Sequence, residues 1–303
     1  KYIDFFAYVS LLLYKKVKKD VSRIGWLLLL LVFLQIVMGK LTSAIYPYIP
    51  INLNAYKGIR FFLLTLCTTS IVLWIGKKIL PVTWKEEQFE RNFSYKTVGQ
   101  TICMMVAIAL TMSLVLNVIQ NFFGISLAES ALDESRDPLY MLYTSLSAVL
   151  VAPILEELFF RGFILQRLKQ YDRGFAIVFA GLTFGLMHMN FMQGSMHIFT
   201  GMLLATVCVE YDSILLPILC HMGFNALMNV STYLMNPVFS RAFTIALWAI
   251  AIYGWVCLCR SFQNRTKAVD KKLLALSLKQ VSMILFFLVF VVHLGCTCLL
   301  GLG

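Results

Sequence analysis

The chain has 303 residues, 60% of them hydrophobic and only 14% charged, with a formal net charge of +11 and a mean hydropathy of +0.80. A soluble domain carries about 25% charged residues, so this composition excludes a water-soluble globular protein and defines an integral membrane protein. The basic excess invites a nucleic-acid partner, but its placement along the chain argues against one.

The first apolar stretch, Phe5 to Leu13, runs into Lys15, Lys16, Lys18 and Lys19 with no small-residue cleavage site, unlike a removable signal peptide. Residues 1–23 are therefore expected as a basic amphipathic segment at the headgroup level. Nine apolar runs follow, at 24–39, 60–76, 99–120, 139–164, 174–189, 194–209, 213–230, 243–259 and 281–301. A helix needs roughly 20 residues to cross a ~30 Å hydrocarbon core, and the fifth and sixth runs are short for it. The expected fold class is all-α, a polytopic membrane helix bundle of about eight to nine transmembrane helices. Residues 24–130 read as accessory transmembrane helices, 138–230 as a core carrying the polar motifs, and 243–303 as C-terminal transmembrane helices.

With a cytoplasmic N-terminus, nine crossings leave Lys40, Lys57, Arg60, Arg136 and Arg241 outside and put nearly all other Lys and Arg inside. This is the positive-inside asymmetry of membrane topology. It predicts an external C-terminus, attraction to anionic headgroups, membrane lipids as partners, and no nucleic acid. The cysteines, Cys67, Cys103, Cys208, Cys220, Cys257, Cys259, Cys296 and Cys298, lie almost entirely in apolar runs without metal-ligand or disulfide spacing, so packing is their expected role.

The acidic residues fall mostly in loops, such as Glu129, Asp133, Glu134 and Asp137 before the fourth run. Glu156 and Glu157 lie within a run, and Glu210 ends one. Ionisable groups inside hydrocarbon are costly and are functional candidates by default. Glu157 and Arg161 are four residues apart in the favourable order and share a helix face. Glu156 is turned about 100 degrees from that pair and is free for chemistry. In a purely structural reading both glutamates would be bundle glue and Arg161 would snorkel to the interface; that leaves Glu156 without a reason.

Of the histidines, His188 lies one turn after Phe184, and His221 one turn before Asn225. His197 and His293 have no patterned neighbour and read as packing residues. The turn Tyr171-Asp172-Arg173-Gly174 makes the fourth and fifth runs an antiparallel hairpin. Glu156 precedes Asp172 by 16 residues and His188 follows it by 16, so each lies about 24 Å along its helix from the turn. His221 and Asn225 lie roughly 14 to 20 Å beyond the turn at Glu210-Tyr211-Asp212-Ser213. Three helices can thus deliver a carboxylate, two imidazoles and an amide to one pocket, a set able to activate water and stabilise an oxyanion within the bilayer.

The patterns Glu156-Glu157-Leu158-Phe159-Phe160-Arg161, Phe184-Gly185-Leu186-Met187-His188 and His221-Met222-Gly223-Phe224-Asn225 together resemble the CPBP family. This is also called the CAAX protease and bacteriocin-processing or ABI family of intramembrane proteases. The extension His188-Met189-Asn190-Phe191-Met192-Gln193-Gly194 is similar to bacterial members, which implies a bacterial cytoplasmic membrane. The resemblance spans about residues 138 to 230; Tyr211-Asp212-Ser213 departs from the Thr-Gly-Ser type of turn common in bacterial relatives.

The resemblance implies a glutamate-dependent peptidase. Glu156 would act as general base, His188 would hold and polarise the water, and His221 with Asn225 would donate to the oxyanion. Glu157, Arg161 and Phe184 would support them. A carboxylate in a low-dielectric pocket is a better base than one in water, and fixed donors there contribute several kcal/mol. The implied substrates include a prenylated C-terminal tail and a peptide pheromone or bacteriocin to be matured; a small amphipathic or lipidated peptide cleaved near the inner interface is favoured. No cofactor is expected. Zinc is disfavoured, because HExxH is absent and the two motif histidines come from different helices. A catalytically silent scaffold or sensor and a proton-coupled transporter are the alternative classes.

Overall fold

The computed structural model describes residues 2–90, 92–124, 135–234, 236–263 and 269–300, and among these every regular element is a helix. Glu129, Asp133 and Glu134 of the expected outer loop lie outside the described residues, as do positions 125–130 and 301–303 at the ends of two expected segments.

The first helix, α1, runs unbroken from Tyr2 to Ile45. The basic stretch before Ile24 is thus continuous with the first apolar run, since no proline interrupts it and Gly25 is a contact point rather than a break. A Cβ on Gly25 would sit 2.3 Å from Ser282 Oγ. Helix α2 (Leu53–Ile79) is capped by Asn52, whose side chain accepts from the Ala55 amide at 2.8 Å. Helix α3 (Tyr95–Phe123) is capped by Ser94 and closed by Gly124 in the left-handed region at φ 63°, where glycine carries no Cβ penalty.

Helix α4 covers residues 138–168 and is capped by Asp137. It widens twice into π-helical turns, at Ser147–Val151 and Leu158–Leu165, on either side of the α-helical Ala152–Glu157. Such turns are rare and concentrate at functional sites; these two bracket the glutamates. Then follow α5 (Arg173–Leu186), α6 (Phe191–Tyr211), α7 (Leu215–Tyr233), α8 (Pro237–Gln263), α9 (Lys271–Leu278) and α10 (Val281–Leu300).

Each of the nine apolar runs is mainly helical where described, with non-helical ends at Met187–Met189 and at Ser213 and Ile214. By length and composition, however, five helices among the described residues qualify as crossings, namely α1, α2, α3, α6 and α8, or six if α9 and α10, bent by 71°, count as one. The count of eight to nine is therefore not established. Helix α5 has 14 residues, about 21 Å, and cannot cross alone. The sixth run, expected to be short, is long enough because Asn190 caps α6 at Phe191.

Two hydrophobic clusters hold the bundle. The larger joins α1, α4 and α5 through side chains such as Ile24, Leu28, Phe159, Phe160, Phe175 and Phe179. The smaller joins α3, α6, α7 and α8. Helices α5 and α6 cross almost backbone to backbone: a Cβ on Gly185 would meet Gly194 O at 2.4 Å and the Ile198 amide nitrogen at 2.7 Å. Cys67, Cys103, Cys208, Cys220, Cys257 and Cys259 are unbridged.

At the α4–α5 turn, polar links tie the core to its neighbours. Arg167 donates from Nε and Nη2 to Asp20 of α1 at 2.7 and 3.2 Å, and Tyr171 shares that buried carboxylate. This holds the Arg167 guanidinium even more firmly charged than usual. Lys169 Nζ donates to Asp212 at 2.9 Å, and this hydrogen bond keeps the Asp212 carboxyl below its ordinary range. Trp84 Nε1 donates to Gly162 O at 2.9 Å, within the second π turn.

Candidate active site

The two adjacent glutamates of α4 enter different environments. Glu157 is fully buried, and its Oε1 accepts from Arg161 Nη1 at 2.9 Å and from His221 Nδ1 at 2.8 Å. Arg161, equally buried, donates from Nη2 to Gly201 O at 2.9 Å, and its guanidinium carbon lies 4.5 Å from the Phe184 ring centroid. Gly201 allows that approach, since a Cβ there would stand 2.8 Å from Phe184 Cδ1. Breaking such a buried pair by removing one partner costs about 3–5 kcal/mol. Glu157 Oε2 and Arg161 Nε remain without a hydrogen-bond partner among the described residues.

Glu156 points the other way. Its carboxylate is 29% exposed, lines a cavity of about 410 Å³, and stands 4.0 Å from His221 Nε2, beyond direct hydrogen bonding. His188 lines the same cavity from the end of α5, where its Nδ1 bonds to Phe184 O at 2.9 Å. A carbonyl only accepts, so Nδ1 carries the hydrogen and Nε2 keeps its lone pair. Just beyond it, Met189 adopts φ 50° and turns the chain into α6. The equal distance of Glu156 and His188 from the hairpin turn does bring them to one wall.

The structure adds a residue that spacing did not reveal. The His197 ring stacks on His188 with centroids 3.7 Å apart and planes 21° apart, while its Nδ1 bonds to Gln193 O at 2.7 Å. Phe184 is the hub: its ring meets Phe160, His188, His197 and His221 edge-on, with centroids 5.0, 5.1, 5.5 and 5.7 Å away. Gln193, one turn before it on α6, lines the cavity. The glycine crossing of α5 and α6 makes that face meet His188, and no pattern within α6 alone discloses it.

Asn225 is placed differently from the others. Its Nδ2 donates to Ala148 O at 2.8 Å, in the first π turn of α4 and eight residues before Glu156. It braces α7 against α4 and keeps a second amide hydrogen for other use. The opposite cavity wall comes from Leu31 and Gln35 of α1 and from Phe61, Thr65 and Thr69 of α2. The accessory helices, which carry no motif, thus close the site. Gln35, a lone amide in the apolar run of α1, was its sequence signal.

No three or more His, Cys, Asp or Glu side chains converge to hold a metal ion among the described residues.

The described residues thus form an all-helical bundle with the Glu156 carboxylate and the His188 imidazole on one cavity between its helices. Residues 138–227, from the start of α4 to just past Asn225, match the family model described as Type II CAAX prenyl endopeptidase Rce1-like. Over that segment the chain is similar to membrane-embedded proteases of the CAAX type. The matched description names no bacterial subgroup. Neither a curated protein nor a solved structure matches the chain.

Proposed function

We propose that the protein is a glutamate-dependent intramembrane endopeptidase acting on a small amphipathic or lipidated peptide. The observation that carries this reading is the division of labour between neighbours: Glu157 is neutralised by Arg161 and His221, while Glu156 is left facing the cavity. In the reaction Glu156 takes a proton from water as the water oxygen attacks the scissile carbonyl. The His188 Nε2 lone pair accepts the second water hydrogen and orients the nucleophile. His221, held on Glu157 through Nδ1–H, offers Nε2 beside Glu156; when the ring carries a second proton, Nε2–H donates to the oxyanion, joined by the second amide hydrogen of Asn225. The proton on Glu156 then passes to the leaving amide nitrogen, and the C–N bond breaks. His197 acts as a shelf that keeps the His188 ring in plane.

The substrate class is supported by the cavity wall, where Leu31, Phe61 and Leu64 suit an apolar chain and Gln35 and Thr69 suit a peptide backbone. The Lys and Arg residues around the α4–α5 turn and before α1's apolar run support a cytoplasmic N-terminus. The test is cleavage of a lipidated and an unmodified peptide by purified protein in detergent, with and without a strong chelator. Activity that is lost in Glu156→Gln and survives chelation supports the reading. Loss on chelation, or full activity in Glu156→Gln, refutes it.

A further inference from the structure

On the flank formed by α3, α6 and α8, two adjoining cavities share Ser261 in their walls. One measures about 250 Å³ and is the more polar of the two, with Thr97, Gln100, Glu210, Tyr211 and Arg260 beside Met104, Val207 and Cys257 in its wall. The other measures about 390 Å³ and is mostly apolar, with Ile108, Met112, Phe199, Leu203 and Trp255 in its wall. The polar end lies where α3 begins and where α6 and α8 end, and on α3 and α6 the apolar residues lie further from that end. Polarity therefore changes once along the groove, from the helix ends inward. Thr97 and Met112 are 15 residues apart, about 22 Å of helix, which exceeds half of a ~30 Å hydrocarbon core.

The polar end holds opposite charges. Arg260 makes no hydrogen bond or ion pair among the described residues, and its fork suits phosphate. Glu210 shares the wall and would repel a ligand carrying phosphate alone, but a carboxylate has several acceptor positions and can take an ammonium beside its existing contact. Deeper in, Trp255 Nε1 is satisfied by Thr111 Oγ1 at 3.0 Å, so an apolar chain meets little polar demand there.

The geometry points to a binding site for a phospholipid whose headgroup carries both a phosphate and a primary amine. Arg260, with Gln100 and Thr97, takes the phosphate, Glu210 takes the ammonium, and one acyl chain lies along Leu203, Met112 and Trp255. The site is on a different face from the Glu156 cavity and is independent of the proposed reaction.

The test incubates the purified full-length protein with phosphatidylethanolamine, phosphatidylglycerol and phosphatidylcholine of identical chains and reads retained lipid by native mass spectrometry. Phosphatidylethanolamine is expected to be retained about tenfold over the others, the scale of one charge-assisted contact. Arg260→Gln should abolish the preference, Glu210→Gln should shift it to the anionic lipid, and Leu203→Trp should reduce retention of all three. Each variant is compared at wild-type helicity by circular dichroism, with Arg260→Lys read beside Arg260→Gln. Equal retention of the three lipids by the wild type, a wild-type preference for phosphatidylglycerol, or an unchanged preference in both Arg260 variants overturns the proposal.

Discussion

The cluster behind Glu157 and the cluster around Glu156 start from adjacent residues of one helix and end in opposite conditions. Behind Glu157, charge meets charge: Arg161, His221 and the Gly201 carbonyl enclose a carboxylate with no exposure at all. Around Glu156, the imidazoles of His188 and His197 are bonded to backbone carbonyls four residues before them, and the carboxylate has no direct hydrogen-bond partner among the described residues. A group clamped between two donors holds position; a group left facing a cavity can exchange protons. The 100 degrees between consecutive helical residues is enough to separate the two roles.

The sharpest way to break this contrast is Glu156→Gln, which should lower peptide cleavage by about 10²–10⁴-fold, the usual contribution of a general base. Because Glu156 makes no direct hydrogen bond among the described residues, the melting temperature of the variant in detergent should stay near wild type. A comparable fall in thermal stability would show that Glu156 is structural.

Glu157→Ala should act the other way round. It strands Arg161 in the interior and should cost about 3–5 kcal/mol, read as loss of folded protein by denaturant titration. Glu157→Ala with Arg161→Met should recover much of that stability without recovering activity.

A smaller effect separates shelf from acid–base group at His197. His197→Ala should reduce kcat about tenfold with KM little changed, consistent with a loosened His188. His197→Phe, which keeps a stacked ring, should restore most of it; failure of Phe to rescue would assign His197 a proton-transfer role instead.

The smallest effect is at the turn. The Asp212 carboxyl is held below its ordinary range by Lys169, so its contribution is fully present above the unfolded-state value and is lost as pH falls through the lowered folded value. Asp212→Asn should change stability at neutral pH by about 0–1 kcal/mol, as exposed pairs do, and should flatten part of the acid-side fall in melting temperature.

Much of the site was legible in the chain. The Glu157–Arg161 pair followed from four-residue spacing, and the shared level of Glu156 and His188 followed from counting residues to one turn, because helical rise is constant. Less legible was anything set by how helices cross. His197 stacks on His188 through a close approach that Gly185 and Gly194 permit, and nothing local to α6 announces it. Asn225 meets the Ala148 carbonyl because α4 widens into a π turn, which spacing rules for an α-helix do not anticipate. Nor did the number of crossings follow from nine apolar runs, since α5 is short and α9 bends into α10.

By itself, then, the sequence determined an all-helical membrane protein, the three motifs and which of two neighbouring glutamates is paired, because hydrophobic length and helical periodicity act locally. Only the tertiary structure decided that α1 and α2 wall the cavity, that Phe184 is the hub of four rings, and that His221 reaches past Glu157 toward Glu156. Those are distances between helices, and they depend on the side chains that each pair of helices can fit between them.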